Sequence, residues 1–365
     1  MPKIAFVCFH PVDSHVIRHV NIELLNKAYE TKILFSEKED IIEDILKKDG
    51  FNYKKIGSIK QSTLGKITSS IIFEMRLFLE LMKFKPDLVF SPSSIYTGLI
   101  SKILGIPLIC WADTETATFN LKTSLPFIDS LLVPDSFYKN IGNNKKVVRF
   151  DSYKEIAYLH PKWFEPDRDI LTKLNIKKNE KIVLMRFSAL KAMHDIGLKS
   201  ISEGMQKNIL RHIKKIEKYA KVFISMSEKD LDKEFQKYKL NIHPSEYASL
   251  LSYCTLYIGE GTTTASEAGV LGVPWINIQK TTRGYLIDQE YNYNLGFRIE
   301  DIDRAFSKAN ELLQDKEIKT KWVEKREKLL NDKIDTTSFL LWFIDNYPKS
   351  HDILIENPDY QYMFK

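Results

Sequence analysis

The sequence predicts an α/β protein of two Rossmann-like, doubly wound halves. Three observations carry this: the length, an alternation of short apolar runs with longer helical patterns, and a patternless stretch between two such series. At 365 residues the chain exceeds what one ordinary hydrophobic core encloses, so two domains are expected. Runs rich in β-branched and aromatic residues, with helical periods between them, are the mark of βαβ units and parallel sheets. In the first series, strands are expected at Lys3–Phe9, Thr31–Ser36, Asp87–Ser91, Pro107–Asp113, Ser130–Val133 and Lys145–Phe150. Ile4-Ala5-Phe6-Val7 is apolar throughout, as in a strand covered on both faces. The stretch Ser152–Asn179 holds Pro161, Pro166 and mixed charges, keeps neither period, and reads as the linker. The second series places strands at Lys181–Ser188, Lys221–Met226, Thr255–Glu260, Pro274–Gln279 and Phe297–Ile299, and closes on helical patterns over Ile302–Leu330 and Thr336–Asp345. The expected domains are 1–158 and 159–334. In the tail, 335–365, a helix carrying Phe339, Trp342 and Phe343 is expected to cross back to the first domain.

Composition bounds the function. Hydrophobic residues are 44% and charged residues 28%, which suits a packed globular protein and excludes global disorder. The net charge of +6 suits a phosphorylated ligand or an anionic membrane face and demands neither. No basic cluster interleaved with aromatics appears, so no nucleic-acid partner is expected. Cys8, Cys110 and Cys254 lie in or beside apolar runs without a CxxC pattern, and read as free buried thiols in a reducing cytoplasm. The apolar start Ile4–Phe9 is too short for a signal peptide, and no transmembrane helix is expected. The stretch Ile67–Met82 is apolar around much of its circumference; a buried crossover helix explains this, and a membrane-facing role is the alternative.

Open α/β sheets bind ligands beyond the carboxyl ends of their strands, so the loops after strands hold the candidates. The richest runs from Gly259 to Pro274: a strand ends in a Gly- and Thr-rich turn, a helix of small residues follows, and Gly272 stops it. Exposed amides at such a helix start, around Gly261, attract a diphosphate. The hydroxyls of Thr262, Thr263 and Thr264 add donors, and Glu267, one turn in, can accept both ribose hydroxyls. A tight turn with threonine capping is the competing account. After the first strand of the second series, Arg186 can bind phosphate bidentately, with Ser188 and His194 as further donors. Alternatively Arg186 pairs with Asp195, and His194 caps a loop.

The Gly259–Pro274 segment resembles the nucleotide-binding signature of glycosyltransferase-B (GT-B) folds and of the related nonhydrolysing UDP-N-acetylglucosamine 2-epimerases, down to the closing Leu-Gly-x-Pro. The resemblance implies a ribose contact at Glu267 and a diphosphate contact at Gly261–Thr264. Ser266 stands where the epimerases carry the first of two adjacent glutamates. Both segments, with Asp113-Thr114-Glu115, Ser152–Pro161 and Trp342–Pro348, resemble a prokaryotic family, domain of unknown function 354, over nearly the whole chain. That family is regarded as GT-B-like and associated with surface polysaccharide production. The resemblance therefore implies an interdomain cleft, a nucleotide-sugar held by the second domain, and no metal.

The loop and helix start His10–His19 would then face the acceptor, with His15 or Asp13 available to deprotonate a hydroxyl. N-capping by Asp13 or Ser14 is the structural alternative. His15 and His19 have the i, i+4 spacing of a metal pair, but no third ligand is evident and no metal is expected. Asp113 and Glu115 follow a strand and can tune one another's ionisation; equally, Asp113 or Thr114 caps the next helix. Tyr153, Lys154 and Glu155 read as a solvated hinge, with a phosphate contact by Lys154 as the alternative. The expected function is transfer of a sugar from a nucleoside-diphosphate donor, a UDP-sugar above others, to a glycan or lipid-linked acceptor, in the cytoplasm or at the inner face of the membrane. A UDP-sugar 2-epimerase or hydrolase, and a non-catalytic nucleotide-sugar-binding or scaffold protein, are the alternatives.

Overall fold

The computed structural model describes residues 1–37, 41–57, 63–142, 145–187, 199–226, 233–280 and 283–365, with only the backbone for 63–68, 118 and 199–206. The chain divides into two compact units: Met1–Trp163 with Lys333–Lys365, and Phe164–Asp332.

The first unit holds β1 (Lys3–Cys8), β2 (Glu30–Ser36), β3 (Tyr53–Gly57), β4 (Leu88–Pro92), β5 (Leu108–Trp111), β6 (Ser130–Pro134) and β7 (Val147–Phe150). They form one parallel sheet in the order β3-β2-β1-β4-β5-β6-β7. Parallel neighbours need long crossovers, and helices such as Pro11–Asn26, Thr63–Phe84 and Ile95–Leu104 supply them. The order reverses between β1 and β4, which opens a crevice at the carboxyl ends of those strands. One face of the sheet packs Ala5, Val7, Leu34, Val89, Cys110 and Val133 against Phe73, Leu77 and Leu81.

β3 is not among the expected strands. It is an edge strand, Tyr53-Lys54-Lys55-Ile56-Gly57, and only Ile56 is buried, so its sequence carries too little alternation to be read. The helix Thr63–Phe84 is not the fully buried crossover expected over Ile67–Met82. Phe73, Leu77, Leu81 and Phe84 are buried, while Ile71, Ile72, Met75, Leu79 and Met82 are exposed. Nor is Ser152–Asn179 a linker along its length. Ser152 through Leu159 is buried in the first unit, including a short helix Ile156–Leu159. The helix Thr336–Asp345 belongs to the same unit. Its Phe339 stacks on Phe150 with ring centroids 5.5 Å apart, and Asp345 accepts from Lys27 Nζ and Tyr29 Oη.

The second unit is a five-stranded parallel sheet of β8 (Ile182–Arg186), β9 (Lys221–Ser225), β10 (Leu256–Gly259), β11 (Trp275–Asn277) and β12 (Gly296–Arg298). Its order is β12-β11-β10-β8-β9. This is the flavodoxin-like arrangement, with its switch point between β8 and β10. The pattern expected as one helix over Ile302–Leu330 is two, Ile302–Gln314 and Ile318–Asp332. Asp315 makes the break: its carboxylate accepts from Glu317 N at 2.8 Å and Lys321 Nζ at 2.7 Å. The chain thus comprises two parallel-sheet, Rossmann-like domains. Cys8, Cys110 and Cys254 are free and buried, and among the described residues no helix is long and apolar enough to cross a membrane.

Candidate functional site

In the second unit, the two loops that flank the switch point are the ones carrying Arg186 and the threonine turn. The backbones of β8 and β10 approach so closely here that a Cβ on Gly259 would lie 2.1 Å from the Arg186 carbonyl oxygen. Gly261 is the N-cap of the helix Thr262–Val270 and receives no side-chain cap, so the threonine capping of the competing account does not occur. First-turn amides at such a start have no intrahelical partner and suit an anion. A Cβ on Gly261 would come within 2.9 Å of Tyr257 Oη, so glycine keeps this approach open. Thr264 is buried and its Oγ1 accepts from Arg186 Nη1 at 3.4 Å, while Thr262 Oγ1 lies 3.4 Å from Tyr285 Oη. Thr263 and Glu267 are half-buried on the same helix.

Arg186 is framed by aromatic and acidic groups. Its Cζ lies 6.0 Å from the centroid of the Tyr247 ring. Burial works against its charge, but Tyr247, Tyr257 and the Glu267 carboxylate outweigh burial and hold the guanidinium above its ordinary pKa. The Tyr247 phenol is itself pushed up to about 12 by burial, so it is neutral at physiological pH. The result is a fixed cation beside a helix start. Ser188, His194 and the proposed Asp195 partner lie outside the described residues.

Ser266 has a structural reason. Its hydroxyl, fully buried, accepts from Gln289 Nε2 at 2.9 Å, and Gln289 Oε1 accepts from Trp275 Nε1 at 2.9 Å. Gly269 completes the lock, since a Cβ there would lie 2.1 Å from Gln289 Oε1. No space is provided at position 266 for a second glutamate.

In the first unit, the carboxyl ends of β1, β5 and β7 contribute acidic groups and one cation. The first helix starts earlier than expected, at Pro11, with His10 as N-cap. Asp13 is the third residue of a capping box: its Oδ2 accepts from Phe9 N and His10 N, both at 2.8 Å. Asp13 is nevertheless buried, and that burial raises its carboxyl to about 7 against the pull of the two amides; Asp113 raises it further and Lys154 opposes. Ser14 donates to the Pro11 carbonyl at 2.6 Å. His15 is half-buried, its ring 5.4 Å from that of Tyr158, and burial, aided by Arg18, lowers it to about 4. His19 lies with its ring tilted against that of Trp163, centroids 5.5 Å apart, and is lowered to about 4 for the same reasons. Among the described residues no group of three His, Cys, Asp or Glu is disposed to hold a metal.

Asp113 and Thr114 do not cap the next helix, Thr118–Ser124, whose N-cap is Ala117. Thr114 Oγ1 donates to Asp113 Oδ1 at 3.1 Å, and Lys154 Nζ ion-pairs with Asp113 Oδ2. The same ammonium lies 2.9 Å from Glu155 Oε1. Lys154 is 5% exposed and Glu155 0%, so this segment is not the solvated hinge expected from sequence. Burial pushes the Glu155 carboxyl up, with Lys154 opposing. Glu115 is buried as well, and Trp111 ends β5 with a buried indole N–H that has no hydrogen-bond partner among the described residues. Sequence reasoning passed over Trp111 and placed Lys154 in solvent, where the structure buries it. A lysine next to a glutamate in a polar stretch is the usual signature of surface, and only the long-range pairing with Asp113 reveals otherwise.

No curated protein matches the chain in sequence. In structure it is similar to a putative UDP-N-acetylglucosamine 2-epimerase from Listeria monocytogenes, at TM-score 0.69 and 12% identity over 94% of this chain and 96% of that one. It is similar to MnaA of S. aureus, solved with UDP, at TM-score 0.69 and 14% identity over 96% and 98%. It is also similar to the Streptomyces sp. SF2575 glycosyltransferase SsfS6, solved with thymidine diphosphate, at TM-score 0.61 and 11% identity over 94% and 99%. At such identities the likeness carries the fold, which is that of the GT-B enzymes. Residues 13–338 match the family model described as protein of unknown function (DUF354), and the chain accordingly belongs to that family.

Proposed function

We propose that this protein transfers a sugar from a nucleoside-diphosphate sugar, a UDP-sugar by preference, to a hydroxyl of a glycan or lipid-linked acceptor, as a cytoplasmic step of surface polysaccharide synthesis. The observation that carries this reading is the guanidinium of Arg186 hydrogen-bonded to Thr264 beside the uncapped helix start at Gly261. A permanent cation and convergent amides suit the charge that grows on a departing diphosphate. Glu267 would accept from the ribose hydroxyls, and Thr262 and Thr263 would donate to phosphate. The acceptor oxygen attacks the anomeric carbon, the bond from that carbon to the diphosphate oxygen breaks, and the electron pair leaves with the diphosphate. No metal or further cofactor is part of the proposal.

The acceptor proton goes to Asp13. A carboxyl near 7 is matched to proton uptake at neutral pH, whereas His15, near 4, is a weak base. The Lys154 ammonium balances Asp113 and Glu155 beside it. A second reading, epimerisation or hydrolysis of the same nucleotide-sugar, is favoured by one observation, the buried carboxyl groups of Asp113 and Glu115. One assay separates the readings: incubation with a panel of nucleotide-sugars, with and without an acceptor extract. UDP release that depends on acceptor is the expected result. Isomerised sugar without acceptor would replace the transferase by an epimerase, and binding with neither product would make the protein a non-catalytic binder.

A further inference from the structure

The helix Thr63–Phe84 has two apolar faces, and only one of them is used inside the first unit. Phe73, Leu77, Leu81 and Phe84 lie in the core, whereas Ile71, Ile72, Met75, Leu79 and Met82 are between 44 and 59% exposed. At helical spacing these five side chains fill an arc of about 100° and run for about 16 Å along the axis. An unbroken exposed apolar stripe of this kind marks an interaction surface.

The charges beside the stripe identify what it meets. Arg76 and Lys83 are exposed along one edge. Glu80, behind them, is already neutralised: Lys32 Nζ binds it at 2.6 Å, and Lys32, with Lys54 and Lys83 near, holds its carboxyl below the usual range. On the other edge stand half-buried Phe78 and Glu74, whose carboxyl burial pushes up. The exposed face is therefore apolar at its centre and cationic along one rim. A second copy of this chain packed antiparallel on the same stripe would bring the cationic rim of each copy against that of the other, an unfavourable pairing.

We propose that this face seats the first unit on the surface of an anionic phospholipid bilayer, with the helix lying in the interface and Arg76 and Lys83 at the level of the headgroup phosphates. In this arrangement an amphipathic helix buries its apolar arc at the headgroup boundary and its basic rim adds electrostatic attraction. The contact is peripheral, because the opposite face of the helix remains in the protein core. The inference goes beyond the proposed reaction and rests on the first unit alone.

Flotation of the full chain with phosphatidylcholine vesicles, with and without about a third phosphatidylglycerol, tests it in the absence of any sugar donor. The wild type is expected to float with the anionic vesicles and not with the neutral ones, and to be released by high salt. Met75→Glu with Leu79→Glu, both exposed and so tolerable to the fold, should abolish flotation. Arg76→Gln with Lys83→Gln should weaken it roughly 25-fold, from about fivefold per cation. Thermal melting at the wild-type temperature checks that each variant is folded. Failure to bind either vesicle, or equal binding by wild type and both variants, would overturn the proposal. So would a dimer in sedimentation velocity that the glutamate pair converts to monomer, which would give the face to a second copy. Vesicle binding and UDP release are read separately, so loss of one leaves the other standing.

Discussion

Burying an ammonium group costs several kcal/mol unless carboxylates and hydrogen bonds compensate it, and Lys154 is compensated by both Asp113 and Glu155. Lys154→Met would leave two buried carboxyl groups without their cation. It is expected to destabilise the protein by about 3–5 kcal/mol, read in urea unfolding, with Lys154→Arg recovering part of the loss. Asp13 makes a pH-dependent contribution whose sign follows from its raised carboxyl. The native state holds the proton up to about pH 7 and the unfolded chain releases it near 4, so this stabilisation is present below about pH 4 and fades as pH rises through 7. His15 and His19, lowered to about 4, act in the opposite sense: their contribution is present above about 6.5 and fades as pH falls towards 4. The stability of wild type relative to Asp13→Asn should therefore fall between pH 5 and 8. A difference that does not change with pH would mean that Asp13 ionises normally. In activity, the proposed role gives an ascending limb of kcat/KM near pH 7 that His15→Asn retains. A limb near pH 4 that His15→Asn removes would instead make His15 the base. At position 266, a glutamate is expected to unfold the second unit rather than confer epimerase chemistry, because it would bury a charge against Gln289 and Trp275.

At the scale of the element, the helix Thr336–Asp345 is a strap over the segment that presents Lys154. Thr337 Oγ1 donates to the Ala157 carbonyl at 2.6 Å, Thr336 Oγ1 lies within reach of both Ser152 Oγ and the Tyr153 carbonyl, and Ser152 Oγ donates to the Ile334 carbonyl at 2.8 Å. Thr337→Val keeps the shape but leaves a buried carbonyl without its donor, an expected loss of about 1–3 kcal/mol. Thermal unfolding measures it, and an unchanged melting temperature would show that the strap does not hold this segment. The same bonds explain why Ser152–Leu159 was illegible in the sequence. It is fixed by partners about 180 residues away, as the Thr337–Ala157 separation shows, and such contacts leave no local period. The β strands of both sheets were legible where they are apolar on both faces, as in β1 and β8, and β3 was not, because an edge strand with two lysines has little to hide. The helix Thr63–Phe84 read as buried because two apolar arcs, one facing the core and one facing out, look alike in sequence. In the second unit the Gly259–Gly272 turn was legible because its glycines answer close backbone and side-chain approaches that a local motif can encode.

Over the whole molecule, the two units place unlike chemistry at the carboxyl ends of their strands: a fixed cation and helix amides in the second, buried carboxyl groups around one ammonium in the first. Under the proposed function, binding and turnover should then be separable by mutation. UDP should raise the melting temperature of the wild type, since a ligand held only by the native state stabilises it by mass action. Arg186→Ala should lose about 1.5–3 kcal/mol of UDP affinity, the range for a hydrogen bond to a charged group, which is a rise of roughly ten- to 150-fold in Kd by calorimetric titration. Asp13→Asn should keep UDP affinity within about twofold and slow turnover by roughly a hundredfold or more. The two changes lie in different units, so the double variant should combine both losses additively. Loss of UDP binding in Asp13→Asn, with Arg186→Ala binding normally, would assign the donor to the first unit and reverse the division of labour.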